Sequence, residues 1–204
     1  AINLAIDKNK VIQLAMNGKG TPIYTNMSPV MSKFLWAAPE EKADPQKAKQ
    51  ILEEKKLLPM KFTLKVPNSS KIYLDTAQSI KEQLKEIGIT VNLEIIEWAT
   101  WLSDVYTNRK YEASLAGLAG KMEPDAILRR YTSTYAKNFT NFNNPKYDAL
   151  IEEAKRTSNE AKQVENYKEA QKILAEEQAA IFLMDPNTII ATEKGLEGFE
   201  FYPL

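Results

Sequence analysis

MKFTLKVPNSSKIYLDTAQSIKEQLKEIGITVNLEII, residues 60 to 96, changes its apolar period twice. In MKFTLKV (60–66), Met60, Phe62, Leu64 and Val66 alternate with polar neighbours, the two-residue period of a half-buried strand. From about 71 to 87 the spacing becomes four, three, four, three through Tyr73, Ala77, Ile80, Leu84 and Ile87, which is the stripe of an amphipathic helix. Gly88 closes that helix, and ITVNLEII (89–96) reads as a second strand. A strand, helix, strand unit of this size predicts an α/β layer structure, with helices packed on a sheet.

The same alternation extends in both directions. Upstream, AINLAID starts as if inside an amphipathic helix, as a processed chain or a piece of a longer one would. Asp7 caps a helix running to about Asn17, with Gly18 as its stop. A loop punctuated by Pro22, Pro29 and Pro39 has no clear period. Asp44-Pro45 then supplies an N-cap and a first-turn proline for a helix ending near Lys56, with Ala48, Ile51 and Leu52 on its apolar side. Downstream, EWATWLSDVYTNR predicts a short helix and YEASLAGLA (111–119) a third strand. Pro124 and Pro145 each start a helix, and a long helix spans about 159 to 180. IFLM, TIIATE and the tail GLEGFEF read as short closing strands. No repeat, low-complexity tract or linker interrupts the chain, so one domain over 1–204 is expected.

Composition removes several classes of function. Hydrophobic residues make up 44% and charged residues 26%, a globular balance. No apolar run approaches the roughly 20 residues that a bilayer-spanning helix needs. Lys plus Arg and Asp plus Glu are 27 each, so no net positive field draws nucleic acid. Cysteine and histidine are both absent, which removes thiol nucleophiles, disulfides, zinc sites built on them and imidazole-based triads. No catalytic residue, metal or cofactor is assigned.

LAGLAGKMEPDAIL (115–128) gathers Gly117, Gly120 and three alanines around a Glu-Pro-Asp step. A tightly packed strand running into a helix accounts for this pattern; so does a backbone left bare for a ligand. Glu123 and Asp125 flank a helix-starting proline, where the exposed N–H groups and the helix dipole favour carboxylates, so they read as structural. They and the pair Glu94 and Glu97 are also the carboxylates a hydrolase reading would use, if two converged about 5 to 10 Å apart in a pocket. The runs EEKADPQKAKQ and EEAKRTSNEAKQ alternate in sign at helical spacing, as solvated faces do. Trp98 and Trp101 read equally as pocket wall and core, with one of them expected inside. The loop 131–144 interleaves Tyr131, Tyr135, Phe139 and Phe142 with four asparagines, a composition suited to recognising peptide or sugar or to folding back on itself.

AINLAID, NGKGTP, DPQKAKQILEE, the strand at 60–66, QSIKEQLKEIGITVNLEIIEWATWL, AGLAGKMEPDAIL and NFTNFNNPKYDALIEEA follow one another in an order that resembles the extracytoplasmic solute-binding proteins of peptide and nickel ABC importers. The resemblance covers nearly the whole chain and only the C-terminal part of the family's usual length. It implies a periplasmic-binding-protein-like lobe with a mixed central sheet flanked by helices (type II-like), the second large lobe of a two-lobed clamp whose N-terminal lobe lies outside these residues. It further implies a monomeric, non-enzymatic protein in the periplasm or anchored at the cell surface as a lipoprotein, which captures peptides or a related small solute and docks on a membrane permease. A ligand-sensing module of a signalling system is the alternative within the same architecture.

In peptide binders of this family the segment corresponding to Ala116–Ala119 pairs with the ligand's main chain, and small residues suit such close approach. The residues expected to face the ligand are Gly117, Leu118, Ala119, Gly120, Lys121 and Met122, with Tyr135, Asn138 and Phe142 from the following loop. Two departures bear on the ligand. Leu118 stands where the family usually carries tryptophan, and Lys121 where oligopeptide and dipeptide binders often place the aspartate that holds the ligand's amino group. KMEPD is similar to the basic residue followed by Asp-Pro-Asp of a branch that includes glutathione and dipeptide binders. By sign alone, Lys121 favours an anionic group.

Overall fold

The computed structural model describes residues 1–200. Two short helices open it, α1 (Ile2–Ala5) and α2 (Lys8–Met16). They are separate because Ile6 is extended and the Asp7 carboxylate accepts hydrogen bonds from the Asn9 and Lys10 amides, which starts a new helix. Strand β1 (Gly20–Pro22) follows, then an irregular stretch with one 3-10 turn (Pro29–Met31), then α3 (Pro45–Glu54), capped by Asp44.

The quoted unit folds as its periods demand. β2 (Met60–Pro67) leads into α4 (Lys71–Glu86) and back into β3 (Ile89–Ile96). Ala77, Ile80, Leu84 and Ile87 are buried against the sheet, and Gly88 makes the reversal at φ +86°, a backbone conformation that side chains resist. β2 and β3 pair in parallel from Met60↔Ile89 to Pro67↔Ile96.

α5 (Trp98–Trp101) runs on into a wider π-helical turn (Leu102–Thr107). The third strand is much shorter than its sequence predicts. β4 is Ala113–Ser114, parallel to β2 at Leu64↔Ala113 and Lys65↔Ser114. The ladder ends because in a parallel pair alternate residues face the neighbour: Lys65 accepts from the Leu115 amide at 3.3 Å, and the next residue to face β4 is Pro67, which has no N–H to give.

Then come α6 (Pro124–Leu128), α7 (Pro145–Arg156) and α8 (Glu160–Glu176), the last ending a turn earlier than expected. Of the expected closing strands only Met184 of 181–184 is in strand: β5 (Met184–Pro186) forms just beyond it, antiparallel to β1. The stretches 188–193 and 195–200 are not strands, and Phe201 lies outside the described residues. Ile189, Ile190, Leu196 and Phe199 are exposed, so the strand propensity of this tail has no neighbour to act against. Parallel and antiparallel pairing thus both occur, in separate sheets of order β3-β2-β4 and β1-β5.

Two apolar clusters carry the packing. One joins α1–α4 to the parallel sheet through Val11, Ala48, Val66, Ala77, Leu84 and Ile89. The other sets α7 on α8 around Leu128, Tyr147, Ile151, Ala170 and Leu174, with Met27 inserted from the early loop.

Candidate functional site

Beyond Leu115 the chain leaves the sheet edge and stays open. From Ala116 to Met122 a single main-chain group has a hydrogen-bond partner among the described residues: the Ala119 carbonyl, which accepts from Arg130 Nη2 at 3.0 Å. Gly117 to Met122 are exposed, Leu118 at 42% and Met122 at 70%. The two glycines differ in their surroundings. A Cβ on Gly117 would stand 2.9 Å from the Tyr73 hydroxyl of α4, whereas at Gly120 it would meet nothing within 4 Å. Gly117 lets the segment cross α4; Gly120 leaves a bare stretch of main chain.

Lys121 is exposed, and no hydrogen bond or ion pair engages it among the described residues. Glu123 occupies the N-cap of α6 without a side-chain cap bond, and Asp125, in the first turn, lies 3.7 Å from Arg129 Nη1. Their placement at a helix start is therefore electrostatic in character. Neither of the other two carboxylates is free: Glu94 stands 3.7 Å from Lys65 Nζ, and Glu97 accepts from Asn68.

The aromatic loop 131–144 folds largely upon itself. Asn138 is 5% exposed, and its amide donates to the carbonyls of Tyr131, Thr132 and Phe142 while its oxygen accepts from Thr140. Asn138, expected to face a ligand, thus spends both amide hydrogens and one acceptor position inside the loop. Phe142 likewise turns inward, its ring edge-on to buried Tyr147 at 5.6 Å. Tyr135 remains half-exposed beside Arg129, whose guanidinium lies 6.0 Å from the ring centre.

Contacts tie this loop to the third-strand region. Tyr111 donates to the Phe139 carbonyl, and Arg109 Nη2 reaches those of Ala136 and Asn138 at 3.1 and 3.2 Å. Trp101 is buried and donates to Ser114 at 2.9 Å, with Trp98 stacked on it at 4.9 Å and 39% exposed. One tryptophan is thus core, and the other forms a surface laid on it. Burial raises the Tyr131 hydroxyl to about 12 and the Tyr147 hydroxyl well above its ordinary value; Tyr147 donates to Leu128 at 2.6 Å.

Two residues at this surface carried no mark in the sequence. Tyr73 reads as one more apolar position of a helix stripe, and Arg130 belongs to no motif of the sequence. Neither local sequence records what the side chain meets across the fold.

The surface is an open face. The two described concavities, about 370 Å³ between α7, α8 and Trp36, and about 150 Å³ around Lys8, Tyr24 and Trp36, do not include it. Among the described residues no group of three or more Asp or Glu side chains could hold a metal ion, and no helix is long and apolar enough to cross a membrane.

Comparison with known proteins places these features in a family. Residues 1–139 match the middle region of the bacterial extracellular solute-binding proteins, family 5. The oligopeptide-binding protein AppA of Bacillus subtilis is 28% identical over 225 residues, covering all of this chain and 41% of its own. A probable di/tripeptide-binding protein 5 of Pseudomonas aeruginosa is 26% identical, covering all of this chain and 40% of its own. The chain thus spans about two fifths of the length of these relatives. The solved structure of AppA in complex with a nonapeptide superposes with a TM-score of 0.86 at 26% identity, over 98% of this chain and 43% of that one. HbpA2 from Haemophilus parasuis, at 18% identity and a TM-score of 0.84 over 91% of this chain and 38% of its own, shares the fold. With the family's middle region matched over more than half its length, this chain belongs to the bacterial extracellular solute-binding proteins of family 5.

Proposed function

We propose that residues 1–204 form one unit, most of the second large lobe of a two-lobed substrate-binding protein that captures peptides or a related small solute for an ABC importer. The observation that carries this reading is the unpaired main chain from Ala116 to Leu118, exposed from Gly117 on and continuing from the edge strand β4. A peptide laid alongside gains main-chain hydrogen bonds worth about 0.5 to 1.5 kcal/mol each, without its side chains being read. Gly117, Leu118, Ala119, Gly120, Lys121, Met122 and Tyr135 make up the wall. The Ala119 carbonyl is already engaged by Arg130, so pairing runs along Ala116–Leu118. Leu118 offers an aliphatic face in place of an indole. The opposing lobe closes by hinge motion and buries the ligand's other side. The whole protein is read as a monomer that works outside the cytoplasm, in the periplasm or as a cell-surface lipoprotein, and docks on a membrane permease; it is non-enzymatic.

The AppA relative was solved with a bound nonapeptide, which supports a peptide ligand here. Calorimetry on the full-length protein with peptides N-methylated at successive backbone positions tests the reading. Blocking an amide that pairs with this segment is expected to weaken binding about tenfold, and the 204-residue chain alone is expected to bind far more weakly than the whole. A co-purifying ligand without peptide bonds, or affinity indifferent to every N-methyl group, would overturn it.

A further inference from the structure

We infer that the surface beside Ala119 recognises a carboxylate of the ligand, through the guanidinium of Arg130 and the ammonium of Lys121. This rests on the peptide reading above and names the chemistry of one end of that ligand. Arg130 is held by a single hydrogen bond among the described residues, Nη2 to the Ala119 carbonyl at 3.0 Å. Its Nε and Nη1 donors stay available at the point where the bare segment ends. The contrast with its neighbour is informative: Arg129 is committed, 3.7 Å from Asp125 Oδ2 and laid toward the Tyr135 ring. Lys121, two residues beyond Ala119, has no partner among the described residues.

The local carboxylates do not cancel this charge. Asp125 is paired with Arg129, and both Asp125 and Glu123 lie near enough to Tyr167 of α8 to raise its hydroxyl, after the larger effect of burial. Against Lys121, Arg129 and Arg130, the two carboxylates Glu123 and Asp125 leave the stretch 121–130 with a formal charge of +1. The donors left over on the Arg130 guanidinium and the unpartnered ammonium of Lys121 suit a carboxylate, whereas a ligand ammonium would meet two like charges. The carboxylate has two sources, the C-terminus of a peptide or an Asp or Glu side chain.

The test uses the full-length protein and alanine di- to pentapeptides in four forms: free acid, C-terminal amide, amide carrying one Glu, and amide carrying one Gln. A carboxylate-bearing form is expected to bind about 10- to 100-fold more tightly than its neutral counterpart. Preference for the free acid identifies the C-terminus as the source, and preference for Glu over Gln identifies a side chain. Arg130→Gln and Lys121→Gln should each shrink that ratio toward one. If Arg130→Gln weakens charged and neutral peptides by the same factor, Arg130 merely clips the segment and the inference is overturned. Binding with no carboxylate preference also overturns it, and leaves the peptide reading standing. Failure of every peptide to bind overturns the peptide reading and this inference with it.

Discussion

Gly117 and Gly120 are three positions apart and answer to different demands. The first has the Tyr73 hydroxyl where a Cβ would go; the second has open space. Gly117→Ala is expected to cost about 1 kcal/mol, because Tyr73 or the segment must shift to admit a methyl group. Tyr73→Phe removes the obstructing oxygen, so the double variant should recover much of the loss in urea unfolding. Equal stability of Gly117→Ala and the parent would sink this account. The sequence marks both positions as glycine and cannot rank them, since the demand on Gly117 comes from another helix. The same holds at Asn138: its composition suits recognition, and only the fold shows three carbonyls already held by its amide.

Elements with their own period were legible: the capped helices α2, α3 and α7, and the unit β2, α4, β3. Elements whose extent depends on a distant neighbour were not. β4 stops short because of a proline on β2, and the early loop is ordered by a helix far along the chain. Gln171 of α8 is fully buried, donating to Phe34 at 2.7 Å and Tyr167 at 2.9 Å and accepting from Thr25 at 3.0 Å and the Trp36 amide at 3.2 Å. No hydropathy pattern in residues 23–38 announces this. Gln171→Leu leaves several of those groups buried and unpaired, with an expected loss of about 3 kcal/mol in chemical denaturation. Retained stability would show that this loop is held some other way.

Across the whole molecule, alkaline pH acts on stability in two opposite senses. Tyr131 and Tyr147, both in the cluster around α7 and α8, ionise less readily folded than unfolded because burial penalises the phenolate. The native state therefore keeps protons that the unfolded chain releases, and stability falls from about pH 10 as pH rises toward the Tyr131 value of about 12. Lys8 works in the opposite sense. Buried beneath Tyr24 and bonded to the Ile23 carbonyl at 2.9 Å, it is lowered to about 8 by burial, against the pull of Glu41. It adds relative stability as pH rises from about 8 to 10.5. Unfolding curves for the parent and Tyr131→Phe between pH 8 and 11.5 check the first effect: the parent should lose stability more steeply above pH 10, and parallel profiles would refute it.

The bare segment is fixed at both ends, by Leu115 to Lys65 and by Ala119 to Arg130, while the stretch between carries no bond of its own. A span so short and so anchored samples few shapes before a ligand arrives. If a ligand pairs here as proposed, its occupancy removes little chain entropy from this segment, and the ordering penalty falls instead on the ligand and on closure of the proposed opposing lobe. For peptides engaging this segment as proposed, differences in affinity should follow the stiffness of the peptide itself.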